Sequence, residues 1–245
     1  MSKLLLTLCY DGTRFHGWQV QPNGITVQET LQDAIERITG VRAPVTGCSR
    51  TDAGVHARKF CCTTVLPEKL TPEALCKALN AVLPSDVSVL SAVPVSEEFH
   101  PRYSARGKRY AYYIWNGVSR DPFRRAYALH LRTPLDEAQM HKTAQLFLGT
   151  HDFTAFCSAG GSVQDKVRTI TRSEVQRQGD LIVYTVEADG FLYNMVRILV
   201  GTLLDVQSGR LTEKDVRRAL AEGDRTAAGV TAPPQGLFLE DIWYE

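Results

Sequence analysis

Two strand-like runs, Val167–Val175 and Leu181–Ala188, are separated only by a turn around Gln178-Gly179-Asp180. So short a connection leaves no room for a crossover helix, so the two runs form an antiparallel hairpin. Further strands follow from alternation at Lys3–Tyr10, Val45–Cys48, Lys59–Leu66, Asp86–Val95, Lys108–Trp115 and Gly236–Tyr244. The Lys108–Trp115 strand is read with Tyr110, Tyr112 and Ile114 on one face, and with Lys108, Tyr113 and Trp115 off it. Helices with marked ends lie between the strands. Thr26 and Glu29 are spaced as a capping box, and Gly40 closes that helix. Thr71-Pro72 opens a second, which Pro84 stops. Asp136 and Gln139 open a third that runs to Leu148, Asn194–Gln207 is a fourth, and Thr212 caps a fifth that Gly223 ends. Strands precede and follow helices, with hairpins, so the class is α+β rather than a series of βαβ units. The irregular polar stretch Glu97–Gly107 sets a boundary, giving an N-terminal α+β half over 1–105 and a C-terminal one over 106–245.

With 245 residues, 44% of them apolar, the chain can bury a sizeable core in one large domain or two smaller ones. No apolar run reaches the roughly 18 residues that span a bilayer. The opening residues lack the long apolar centre and small-residue cleavage site of a signal peptide. Six cysteines form no Cys-x-x-Cys pair and have no zinc-type histidine partner. Free thiols in a reducing cytoplasm account for them.

Three features carry chemistry. The first is Gly47-Cys48-Ser49-Arg50-Thr51-Asp52-Ala53-Gly54-Val55-His56, a polar loop between two strands with one carboxylate, Asp52, among small residues. Its bland reading is a turn capped by Asp, since Asp and Gly are the common turn residues. The second is Arg197, in the first turns of a helix that is apolar around most of its circumference. An arginine there either snorkels to solvent or needs a strong acceptor. Asp205, eight residues on, is more than two turns away, which makes Asp52 the best carboxylate for it. The third is Pro101–Arg132, with eight basic residues against the single acid Asp121, net +7 over 32 residues, interleaved with aromatics. Arginines among aromatics neutralise phosphates and stack bases, although a solvated charged strand pair has the same composition.

Four blocks in order carry a family resemblance: Tyr10-Asp11-Gly12-Thr13-x-Phe15-x-Gly17-Trp18-Gln19-x-Gln21, then Ser49–Ala57, Lys108-Arg109-Tyr110-x-Tyr112-x-Ile114, and Phe191-Leu192-x-Asn194-Met195-Val196-Arg197. Nearly end to end, the chain resembles the TruA family of tRNA pseudouridine synthases. The resemblance implies an isomerase that converts uridine to pseudouridine at positions 38 to 40 of the tRNA anticodon stem-loop. It implies Asp52 as the catalytic carboxylate, Tyr110 stacking on the uracil, and Arg50 and Arg197 as basic residues lining the pocket, with Arg197 paired to Asp52. It further implies a homodimer, no cofactor and no metal. The expected fold has two α/β sandwich-like halves whose largely antiparallel sheets join, with helices packed on them and the active cleft between. The isomerisation oxidises nothing, which suits a chain without a dinucleotide-binding glycine motif. The rival expectation is a tRNA-binding or chaperone module on the same fold that does no chemistry. A nuclease using Asp52 and His56 is a remote third. Phe15 and Trp18 are equally suited to stacking on RNA and to packing under their loop.

Overall fold

The alternating run that opens the chain becomes β1 (Ser2–Tyr10) in the computed structural model, which describes residues 2–67, 70–161 and 163–245. The other described strands are β2 (Val45–Gly47), β3 (His56–Leu66), β4 (Val87–Pro94), β5 (Gly107–Trp115), β6 (Leu129–His130), β7 (Gly149–Asp152), β8 (Val167–Gln178), β9 (Leu181–Ala188) and β10 (Leu237–Trp243). The described α-helices are α1 (Val27–Thr39), α2 (Pro72–Val82), α3 (Glu137–Ala144), α4 (Met195–Gln207) and α5 (Glu213–Glu222). They belong to two units. One holds the residues up to Arg106 together with Phe238–Glu245, the other Gly107–Leu237. Both are α+β, and strand pairing is mostly antiparallel.

In the first unit β1 lies between β3 and β4, antiparallel to both, and β2 pairs antiparallel with β3. Strand β10 pairs with β3 in parallel, Phe238 opposite His56 and Leu239 opposite Ala57. The final strand therefore belongs with the first unit, although the sequence division at 105/106 groups it with the second half. Pairing between residues some 180 apart leaves no trace in local periodicity. Helix α1 buries Val27, Leu31, Ala34 and Ile35, the face its apolar spacing marks. Only half of its capping box forms: the Thr26 hydroxyl accepts from the Glu29 N–H at 3.3 Å. Gly40 ends it in the left-handed conformation, φ 75°. Strand β3 starts at His56, three residues before the predicted Lys59.

In the second unit β5 pairs antiparallel with β9, β9 with β8, and β8 with β7. The 178–180 hairpin turns at Gly179, φ 61°. Lys108 is buried on the same side of β5 as Tyr110 and Tyr112, against the expectation that set it apart; strand parity alone requires this. The helix predicted to reach Leu148 stops at Ala144 and finishes as a 3₁₀ turn over Gln145–Phe147. Strands β6 and β7 are two and four residues long, too short to show a period. Helix α4 buries ten of its thirteen residues, as its apolar circumference requires.

Candidate active site

The Asp52 loop is shaped by the first motif of the chain. The Trp18 N–H donates to the Thr51 carbonyl (3.1 Å), and the Gly54 N–H to the Phe15 carbonyl (3.3 Å). Tyr10 and Thr51 share a buried hydroxyl–hydroxyl hydrogen bond of 2.9 Å. Two glycines make this approach sterically possible. A Cβ on Gly17 would lie 2.5 Å from the Thr51 carbonyl oxygen and 3.2 Å from the Asp52 carbonyl carbon, and a Cβ on Gly12 would collide with the Val55 carbonyl. Gly17 also has φ 87°, a conformation side chains disfavour. Phe15 and Trp18 are buried, and Trp18 stacks on Phe60 with ring centroids 4.0 Å apart. Of their two readings, packing under the loop is the one they fill.

Inside the loop, the Val55 N–H donates to the Asp52 carbonyl (3.1 Å), and Gly54 takes φ 77°. The turn on which Asp52 sits is thus fixed at both sides, with the Asp52 side chain half-buried and Arg50 exposed. His56 closes the loop. The Gly12 N–H donates to its Nδ1 (3.0 Å), which lies 3.2 Å from Asp11 Oδ1, and its ring stacks on Phe238 at 4.4 Å. A histidine so enclosed is a structural bolt, which leaves the nuclease reading without its second residue.

In the second unit, Tyr110 lies on β5 and is 5% exposed. Phe191 meets its ring edge-on, with centroids 4.9 Å apart at 79°, which fixes the ring plane. Arg197 lies in the first turn of α4 and is half-buried. Its Nε donates to the Ala232 carbonyl (2.7 Å) and its Nη1 to Asn194 Oδ1 (2.9 Å), while the Ala232 N–H donates back to the Arg197 carbonyl (3.0 Å). Segment 229–233 can approach α4 this closely because a Cβ at Gly201 would overlap the Val230 carbonyl. The Gly229 N–H reaches Thr202 Oγ1 (2.8 Å) and the Val230 N–H reaches Asp205 Oδ2 (3.2 Å). Asp205 is thereby committed to this segment and to an ion pair with Arg210. Tyr112 donates to the Pro233 carbonyl at 2.7 Å. Burial pushes its phenol well above the ordinary range, while the nearby Arg197 charge pulls the other way.

The arginine–aromatic segment divides in two. Tyr110 and Tyr112 are core, and Arg109 is paired with Glu187 at 2.7 Å. Solvent is faced by the residues before β5, where Arg102, Tyr103 and Arg106 are exposed, and by the turn after it. There Phe123 is 88% exposed among Arg120, Arg124 and Arg125. That turn is ordered from within: Asp121 accepts from the Phe123 N–H (2.9 Å) and pairs with Arg124 (3.1 Å), and the Arg124 guanidinium lies 5.2 Å from the Trp115 ring centre.

A family model described as tRNA pseudouridine synthase matches residues 8–104 and 143–245. A "tRNA pseudouridine synthase A" of Thermoanaerobacter sp. (strain X514) is 46% identical over 244 residues, covering all of both chains. The protein of that name from Ruminiclostridium cellulolyticum is 45% identical over 245 residues, again covering both in full. One from Halalkalibacterium halodurans is 45% identical over 97% of this chain and 91% of its own. Asp52 lies in the first matched stretch, Arg197 in the second and Tyr110 between them, and the full-length relatives show that the chain belongs to the tRNA pseudouridine synthase A family.

Proposed function

We propose that this chain isomerises uridine to pseudouridine at positions 38 to 40 of the tRNA anticodon stem-loop, with Asp52 as the catalytic carboxylate. The observation that carries the reading is the Asp52 turn. Gly12 and Gly17 let the backbone of residues 12–17 pack closely against it, and only Ala53 stands between Asp52 and Gly54. The reaction breaks the ribose C1′–N1 bond, turns the uracil and joins C1′ to C5. N1 gains a proton and C5 loses one, so atoms and electrons balance without a co-reactant. A carboxylate takes part either as nucleophile on ribose or base, or by taking a ribose proton, and both roles need it ionised and held in one orientation.

Tyr110 is the proposed stacking partner of the detached uracil. A ring only 5% exposed is met only by a base flipped fully into the protein, and this keeps water from the intermediate. Arg50 and Arg197 are the proposed substrate-binding cations, and a cation held beside a carboxylate favours its ionised form. Arg120, Arg125 and Phe123 on the exposed turn are proposed to grip the stem-loop and offset the cost of flipping, about a few kcal/mol. The proposed assembly is a homodimer, which follows from the family resemblance and is checked by light scattering. The proposed compartment is the cytoplasm, where the six free cysteines stay reduced.

The test incubates unmodified tRNA tritiated at uracil C5 with wild type and Asp52→Asn. Wild type releases tritium and Asp52→Asn is slower by at least about a hundredfold, the lower end for loss of a positioned proton-transfer group. Release that persists in Asp52→Asn removes Asp52 from the chemistry. A binding module releases none from any anticodon-arm substrate, and tRNA with unchanged chain length excludes the nuclease. A double-mutant cycle over Asp52→Asn and Arg197→Ala tests whether the two act together in turnover: additive losses would show that they act separately.

A further inference from the structure

Among the described residues one non-glycine has a positive φ: Asn194, at φ 60° and ψ 7°. The left-handed conformation costs an L-residue free energy, and asparagine tolerates it best of the side-chain-bearing residues. Asn194 stands at the N-cap of α4, where an asparagine ordinarily turns its side chain to the first free N–H groups. It makes no such bond. Its amide bridges instead: Nδ2 donates to Ser158 Oγ (3.0 Å), and Oδ1 accepts from Arg197 Nη1 (2.9 Å). Ser158 is itself anchored, its N–H donating to the Tyr193 carbonyl (3.1 Å).

We infer that Asn194 is a positioning residue that sets the orientation of the Arg197 guanidinium toward the substrate. Two edges of the guanidinium are held within its own unit, Nη1 by Asn194 and Nε by the Ala232 carbonyl at 2.7 Å. Both acceptors are neutral oxygens. They fix the plane of the cation without cancelling its charge, which an aspartate in place of Asn194 would do. The left-handed backbone is what lets a residue three positions before Arg197 aim its amide along the start of α4 rather than at the helix's own N–H groups. The position thus demands tolerance of positive φ, an acceptor for Arg197 and a donor for Ser158, and the asparagine side chain meets all three.

The inference rests on the substrate-binding role proposed for Arg197, and the experiment separates the two. Tritium release, tRNA Kd and thermal unfolding are compared for wild type, Asn194→Gly, Arg197→Ala and the double variant. Glycine relieves the backbone strain and removes only the amide, so Asn194→Gly is expected to unfold no more easily than wild type. Its kcat is expected to fall at least about tenfold, the scale of one hydrogen bond to a charged group, with tRNA Kd weakened no more than in Arg197→Ala. The double variant is expected to be no slower than Arg197→Ala. A merely structural Asn194 predicts wild-type kcat in Asn194→Gly beside an impaired Arg197→Ala, and that result overturns the inference while leaving the role of Arg197 intact. Losses that multiply in the double variant overturn it too, because the two residues then act separately. A fully active Arg197→Ala overturns the role of Arg197 and the inference with it.

Discussion

Single residues decide how the Asp52 turn is held. Gly17 combines φ 87° with a neighbouring carbonyl where its Cβ would go. Gly17→Ala is expected to destabilise the first unit by more than the roughly 1–2 kcal/mol of a left-handed L-residue, because the clash adds to the strain. Urea unfolding measures this, and turnover is expected to fall with it as the Asp52 turn shifts; an unchanged midpoint would show that the Thr51 carbonyl yields freely. Tyr112→Phe is the counterpart in the second unit. It strands the Pro233 carbonyl, which accepts the phenol at 2.7 Å beside Arg197's own anchor at Ala232. A loss of about 1–3 kcal/mol is expected in the same assay. Asp52, Arg50, Tyr110 and Arg197 were all legible as candidates because each falls in a distinctive block. The bonds that orient them were not. Nothing in residue order says that Asn194 turns its amide toward Arg197 rather than toward its helix, since φ is not written in the sequence.

At the scale of elements, ends were read better than extents. Thr212 and Asp215 form the full reciprocal box at the start of α5: Thr212 Oγ1 accepts from the Asp215 N–H (3.3 Å), and Asp215 Oδ2 accepts from the Thr212 N–H (2.9 Å) and hydroxyl (2.7 Å). The hydroxyl bond, then the backbone bond, hold the Asp215 carboxyl below its usual range. A depressed carboxylate contributes stability above its unfolded-state value, near 4, and loses it as pH falls through the lower folded value. Amide exchange in the first turn of α5 is therefore expected to quicken, relative to the rest of the helix, as pH drops below about 4. Asp215→Asn is expected to remove that pH dependence, and an identical profile in the variant would show that the box adds nothing. At the start of α1, Thr26 and Glu29 have the same spacing and form only one of the two bonds. The spacing permits a box, and side-chain placement decides whether it closes.

For the whole molecule, the unexpected arrangement is that the last strand completes the first unit. Leu239 and Ile242 on β10 are both buried, Phe238 stacks on His56, and Glu240 and Asp241 pair with Arg58 and Lys59 at 3.1 and 2.6 Å. Burying two such aliphatic side chains is worth roughly 1.5–3 kcal/mol each, a large share of a typical domain stability of about 5–15 kcal/mol. Removing Phe238–Glu245 is thus expected to expose β3 to proteolysis and amide exchange while β8 and β9 stay protected. Equal loss of protection in both units would show that they unfold as one. The same removal is expected to abolish turnover, since His56 and the Asp52 loop lie at the start of β3.

By itself the sequence determined the α+β class, most strand and helix positions and the family, because alternation, caps and motif blocks are local properties of the chain. Only the tertiary structure decided that the final strand pairs in parallel with β3, that Phe15 and Trp18 are packing, that His56 is a bolt, and that Asn194 holds Arg197. Each of these depends on segments far apart in sequence meeting at hydrogen-bond distance, or on a backbone angle, and neither has a local period from which to be read.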